Sequence, residues 1–500
     1  MGEVRTKFFL KKGQISLFVI IGIVFTLAFI TFFIMRAETE KLPNNEASEI
    51  SDYEEIALVQ QFITSCLSEL SEDALVLAGN QGGYTDLRSV GASTSYYDTT
   101  NADGFTFSEN SQIQIPYWHY LASANECSGD CFFFSQRPRL EGTSARTVEQ
   151  QIKTFINRNF AECLQNFAPF TEQGYNLTQN MVLDEYVLDS IDSLLYPFDM
   201  RVLFREDDVN IVLEYPLTIT KGEITSSVSK YSTTHDIPFK RMFELASLLT
   251  ALQFEYRYLE SQTIELISLN SGIDRDKLPP LGGATNEFAS SIFWVVTDVQ
   301  KKVEEMLSVY TNALRVSGTR NYYEITFPNS PVKAALDQAF ANMVIPLDED
   351  GKFADLEVNY DYLNWPWYFN INSNGGIIEP ESLSLDFFPF FGIQRYKHYY
   401  DISNPVRVAV FNTEARKGEG YTFAFGLENN VRNNEPMREN YADFTAPSVV
   451  AEITDEQQNT LVCNFDQRNT DNVTISVLDK NTGDVIPKAG ISFRCGDETC

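Results

Sequence analysis

Residues Ile15 to Met35 form an unbroken run of 21 apolar or hydroxyl positions, ISLFVIIGIVFTLAFITFFIM. At helical rise such a run crosses a hydrocarbon core of about 30 Å, so the pattern predicts a transmembrane helix over residues 14–36. Downstream the polarity becomes periodic. Ile56, Val59, Ile63, Cys66, Leu70, Ala74 and Leu77 recur every three or four positions, the spacing of one buried helical face. Ser51 and Glu54 supply a capping box and Gly79 a stop, which predicts a helix from about Asp52 to Ala78. A second stripe, Ile152, Phe155, Ile156, Phe160, Cys163, Leu164 and Phe167, predicts another.

From Met200 the period changes from helical to two. Arg201–Arg205, Val209–Tyr215 and Leu217–Thr220 read as strands of a meander. Asp236 and Pro238 then open one long helix to about Leu269, and a further helix is expected from about Ser290 to Leu314. Strands dominate from Tyr322 to Leu427, including Val358–Tyr362, Tyr368–Ile371, Val406–Phe411 and Tyr421–Leu427. Between the first two helices lies a long aromatic and polar stretch, entered through Gln81-Gly82-Gly83-Tyr84 and containing Tyr117-Trp118-His119-Tyr120. It reads as irregular with short strands, and a loop of that length is either covalently stapled or a binding surface.

These elements give an α+β fold: an N-terminal transmembrane helix followed by a multi-domain extracellular region of antiparallel β-sheets with several long helices. The expected organisation is a cytoplasmic leader (1–13), the membrane helix (14–36), a linker (37–49), a helical and loop domain carrying cysteines (50–180), a β-meander plus long helix (181–278), a mixed helical then β-rich domain (279–450), and a partial β-module (451–500). Pro43-Asn44-Asn45 is expected to interrupt the helix between membrane and ectodomain.

Charge sets the topology. Arg5, Lys7, Lys11 and Lys12 precede the apolar run, while Arg36 is followed by Glu38 and Glu40. The positive-inside bias therefore leaves a short cytoplasmic tail in the cell membrane and exports the bulk of the chain. A cleaved secretory signal fits less well, because the run exceeds the roughly 7 to 15 residues of such cores and lacks a small-x-small site before Arg36-Ala37-Glu38. The chain has 38 basic and 69 acidic side chains, a net charge of −31. Removing Glu3, Arg5, Lys7, Lys11, Lys12 and Arg36 leaves the exported part at about −35, which disfavours nucleic acid and anionic lipid.

Cysteines on two buried helical faces are joined if those faces pack together, so Cys66 is expected to pair with Cys163. Cys127 and Cys131 would close a small loop, Cys463 and Cys495 would join strands, and Cys500 is left odd. No second nearby pair or histidine accompanies Cys127 and Cys131, so neither a metal nor a cofactor is expected. Asn176-Leu177-Thr178 and Asn472-Val473-Thr474 are glycosylation sequons, which need export and exposure.

The edge of the apolar run, Lys11-Lys12-Gly13-Gln14-Ile15-Ser16-Leu17-Phe18, resembles the archaeal type IV pilin (class III) signal. That resemblance implies processing by a prepilin peptidase between Gly13 and Gln14. The pilin pattern has Glu where this chain has Phe18, an absence that speaks against a major pilin. Val477, Asp479, Thr482-Gly483, Ile486, Ala489, Ile491 and Phe493 resemble the opening of carboxypeptidase-regulatory-like, immunoglobulin-type modules, which imply a structural or adhesive spacer. Together with Cys66-Leu67, Cys163-Leu164, Tyr400-Asp401-Ile402 and Phe423-Ala424-Phe425, the layout is similar to uncharacterised single-pass surface proteins of small-genome archaea.

Catalytic signatures are missing from the sequence: no His-Glu-x-x-His, no phosphate-binding loop and no nucleophile elbow. Only His119, His235 and His398 are available for base-assisted catalysis. The expected role is thus a membrane-anchored cell-surface protein, structural, adhesive or binding, whose partners are the lipid bilayer and other surface proteins or glycans. A minor or tip subunit of a pilus-like system and a carboxylate-pair glycan hydrolase are the alternatives. Trp365–Phe369, Phe387–Phe391 and Tyr396–Tyr400 are either glycan platforms or core, with core the better reading.

Overall fold

Helix α1 runs from Asn44 to Asn80. The computed structural model describes residues 44–127, 131–179, 199–286, 291–324, 326–331, 333–341, 343–347, 351–384, 392–437, 494–495 and 498–499. The apolar run, Gly13, Gln14, Cys463 and Asn472 lie outside them, as does the C-terminal module apart from Arg494–Cys495 paired with Glu498–Thr499. Among the described residues no helix is long and apolar enough to cross a membrane.

The chain continues through β1 (Gly104–Thr106), β2 (Gln114–Leu121), β3 (Phe133–Phe134), α2 (Val148–Leu164), β4 (Asn176–Gln179), β5 (Asp199–Phe204), β6 (Val209–Lys221) and β7 (Ile224–His235). Helices α3 (Phe239–Tyr256), α4 (Tyr258–Asn270), α5 (Val296–Tyr310) and α6 (Lys333–Ala341) follow. The remaining main strands are β8 (Leu356–Asp361), β9 (Tyr368–Ile371), β10 (Tyr400–Asn412), β11 (Tyr421–Arg432) and β12 (Glu435–Pro436). The fold is mixed α+β, with antiparallel pairing dominant. Contacts divide it into one unit of residues 1–63, 167–180 and 216–228 and a second of 64–166, 181–215 and 229–500.

In the second unit an eight-stranded sheet has the order β1-β2-β11-β10-β8, with β3 on β2, β9 on β10 and β12 on β11. Its spine is the antiparallel pair β10–β11, in register from Ile402↔Val431 to Asn412↔Tyr421. Both strands are buried along nearly their whole length, so neither shows a period-two alternation of burial. Strand β2 corrects the expectation for its segment: Tyr117-Trp118-His119-Tyr120 is the core of the sheet and not an irregular surface. All eight of its residues are buried, which removes the period-two signal. β5 and β6 do alternate, with every second residue inside.

In the first unit β4 pairs with the end of β6 from Asn176↔Thr220 to Gln179↔Leu217. Phe62 meets Phe170 edge-on at 5.3 Å between centroids.

Two helices differ from the sequence pattern. Helix α1 begins at Asn44, ahead of the Ser51–Glu54 box. The single helix expected from Pro238 to Leu269 is two, broken where Arg257 adopts φ 51°, ψ 47°. The left-handed conformation costs a non-glycine residue about 1 kcal/mol or more. It carries the Arg257 guanidinium to His119, Nη1 to Nε2 at 2.7 Å.

Gly79 is a packing position. A Cβ there would meet the Tyr421 hydroxyl and lie 2.5 Å from the Thr422 carbonyl, while Tyr421 Oη donates to the Leu75 carbonyl. The helix turns off three residues later through Gly82 and Gly83, both at positive φ, with Gly83 N–H donating to Ala78 O at 2.7 Å. Gly79→Ala gains about 1 kcal/mol in helix propensity, yet the clash with backbone is expected to dominate. Urea denaturation should show a net loss of about 2 kcal/mol.

Candidate functional site

A polar groove of about 390 Å³ opens in the second unit between the turn that follows α1 and the β1–β2 loop. Gln81, at the end of α1, is buried and ties the two walls together: its Nε2 donates to Tyr84 O and Thr85 O, both at 3.3 Å, and its Oε1 accepts from Gln114 N at 2.9 Å. Gln151 of α2 braces the turn from behind, its Oε1 accepting from Thr85 N and Asp86 N at 3.1 Å.

Asp86 caps a short 3₁₀ turn, Leu87–Val90, its Oδ1 accepting from Arg88 N at 3.1 Å. That turn carries Arg88 into the groove. With its amide oxygen turned toward Arg88, Gln114 accepts from Nε at 3.0 Å and Nη2 at 3.2 Å. Across the gap Tyr97 Oη donates to Glu109 Oε2 at 3.0 Å. Asn110, Ser111 and Gln112 complete the lining, in which no aromatic or aliphatic side chain takes part. Such a lining offers hydrogen-bonding groups and no apolar wall.

A second polar cluster lies inside the sheet. β2 and β11 run parallel through Gly426↔Tyr117 and Leu427↔His119, and there the ladder ends. Beyond that point two carboxylates take the N–H groups that a longer ladder would use. Glu428 Oε2 accepts from Leu121 N at 2.7 Å, and Glu260 Oε1, from α4, accepts from Asn430 N at 2.9 Å. Asn430 Nδ2 also donates to Glu428 Oε2 at 2.9 Å, and Gln253 Nε2 to Glu260 Oε2 at 2.8 Å. Both acids are fully buried. Burial pushes Glu428 up to about 7 and raises Glu260 as well, the nearby Arg257 pulling the latter back. Burial, reinforced by Arg257, keeps His119 neutral. Both acids are enclosed by protein, each with one oxygen on a backbone N–H of β2 or β11.

The residues singled out in the sequence fall as follows. Cys66 and Cys163 are bonded, with Cα atoms 5.9 Å apart, and so are Cys127 and Cys131 at 5.6 Å. Cys131 packs with Leu121, Phe133 and Met437. Cys495 sits in the short strand pair near the terminus. Asn176 and Thr178 are exposed on β4. Trp365, Tyr396 and Tyr400 are core, and Trp365 Nε1 donates to Thr106 O at 3.1 Å. His119, His235 and His398 are all buried.

Sequence reasoning missed the groove because its residues come from a helix end, a 3₁₀ turn and a hairpin loop. The only local hint is the polar run Glu109–Gln112 between two strands. The buried acids did leave a trace, in the Glu428-Asn429-Asn430 triplet within an otherwise apolar strand. Comparison with protein-family models, with curated proteins and with solved structures returns no match.

Proposed function

We propose that this chain is a membrane-tethered, extracellular binding or adhesive protein without catalysis of its own. The tether is the uncharged run Ile15–Met35, and the basic residues ahead of it orient the chain outward. One observation carries the reading: Cys66–Cys163 and Cys127–Cys131 are both at bonding geometry, a pairing that persists in oxidising surroundings. The polar groove then supplies a ligand-facing surface, and it stands on the long stretch after α1 for which a staple and a binding surface are the two expectations.

Full-length chain in detergent, tested against polysaccharides and envelope extracts of the source cells, is expected to retain material without consuming it. Release of new reducing ends from any polysaccharide would overturn the non-catalytic reading. Export also makes Asn176 available for glycosylation, since it is exposed on β4. Intact mass of the native protein is expected to exceed the sequence mass by a glycan that maps to Asn176, and an unmodified Asn176 peptide would remove that site.

A further inference from the structure

We propose that the groove between Gln81 and Gln114 binds a neutral saccharide through pairs of adjacent hydroxyls. This rests on the reading of the chain as a surface-binding protein and names the ligand class. The side chains that line the groove are mostly planar forks: the amides of Gln112 and Gln114, the carboxylates of Asp86 and Glu109, and the guanidinium of Arg88. Each presents two polar atoms side by side, which suits neighbouring hydroxyls that donate and accept together.

The forks are held in place before any ligand arrives. Gln81 fixes Gln114 through its backbone N–H, Gln114 holds Arg88 through Nε and Nη2, and Tyr97 holds Glu109 through Oε2. Such preorganisation lowers the ordering cost of binding. Glu109 Oε1, Arg88 Nη1 and the Gln112 amide are left for the ligand.

Charge and shape narrow the class. The lining holds two carboxylates and one guanidinium, with Arg158 4.0 Å from Asp86 outside it, and on a chain of net charge −31 this leaves nothing to attract uronate-rich, sulfated or phosphorylated polymers. The lining has no aromatic face for a nucleobase and no apolar wall for a lipid tail. A volume of about 390 Å³ falls in the range of small-ligand sites.

The test uses full-length chain in detergent micelles, titrated with neutral hexose oligosaccharides, uronate-containing oligosaccharides and hexosamine oligosaccharides. Glu109 and Gln112 are exposed, so Glu109→Ala and Gln112→Ala leave the core untouched. Saturable binding of a neutral oligosaccharide is expected, weakened at least tenfold by either alanine variant and less than threefold by Glu109→Gln, which keeps the fork and removes the charge. Absence of saturable binding across the neutral panel would overturn the proposal. So would binding that neither alanine variant weakens. Preference for hexosamines abolished by Glu109→Gln would overturn it in favour of a cationic ligand. If the neutral panel fails while envelope extract is still retained, the ligand class alone is wrong; if both fail, the binding reading falls with it.

Discussion

Alanine at both Cys66 and Cys163 is expected to lower the unfolding free energy by about 4 kcal/mol. The bond joins positions 97 residues apart, and a closed loop of that length removes more conformational freedom from the unfolded chain than a short one. It also pins α1, through the buried Cys66, to the last turn of α2. The Cys127–Cys131 loop spans only four positions, so opening it is expected to cost about 2 kcal/mol. Urea denaturation of the two double variants separates the contributions. Equal losses from the two pairs would contradict the loop-length account.

Glu428→Gln is expected to stabilise the protein at pH 8 by up to about 3 kcal/mol and to change little at pH 5. Burial holds the folded carboxyl at about 7 against an ordinary 4.5. Because the folded value is the higher one, the folded chain holds this proton more tightly than the unfolded chain. The resulting contribution is complete below about pH 4.5 and is lost as pH rises through 7. Glu260 shifts in the same direction. The histidines oppose them: burial depresses His119, His235 and His398, the last to about 4. Each contributes stability that is present above about pH 6.5 and lost as pH falls through the folded value. Wild-type stability should therefore peak between about pH 6 and 7, and the variant should show a shallower decline on the alkaline side, the remainder coming from Glu260. Parallel pH curves for the two proteins would show that Glu428 does not titrate with folding.

The parts of the fold that sequence made legible are those where one face is buried and the other is wet. The Cys66 and Cys163 stripes gave both helices and their bridge, because a three-and-four spacing fixes which side chains meet. The alternation in β5 and β6 gave the meander in the same way. Strand β2 was opaque because both of its faces are buried. The break at Arg257 was opaque for a different reason: no Gly or Pro marks it, and the groups that its left-handed turn reaches, among them His119 and Phe133, lie far away in sequence. Gly79 was misread as a helix stop, since the Tyr421 ring that crowds it lies 342 positions away in sequence. The groove escaped on the same ground, being assembled by tertiary contacts from three segments whose individual patterns are those of ordinary turns.

Protease treatment of intact source cells tests the central claim most directly. If the chain is tethered by Ile15–Met35 and faces outward, an external protease should remove the whole region beyond Arg36 without breaking the cells, and a short N-terminal fragment should stay with the membrane. A chain that remains full length on intact cells and is digested only after lysis would contradict the account.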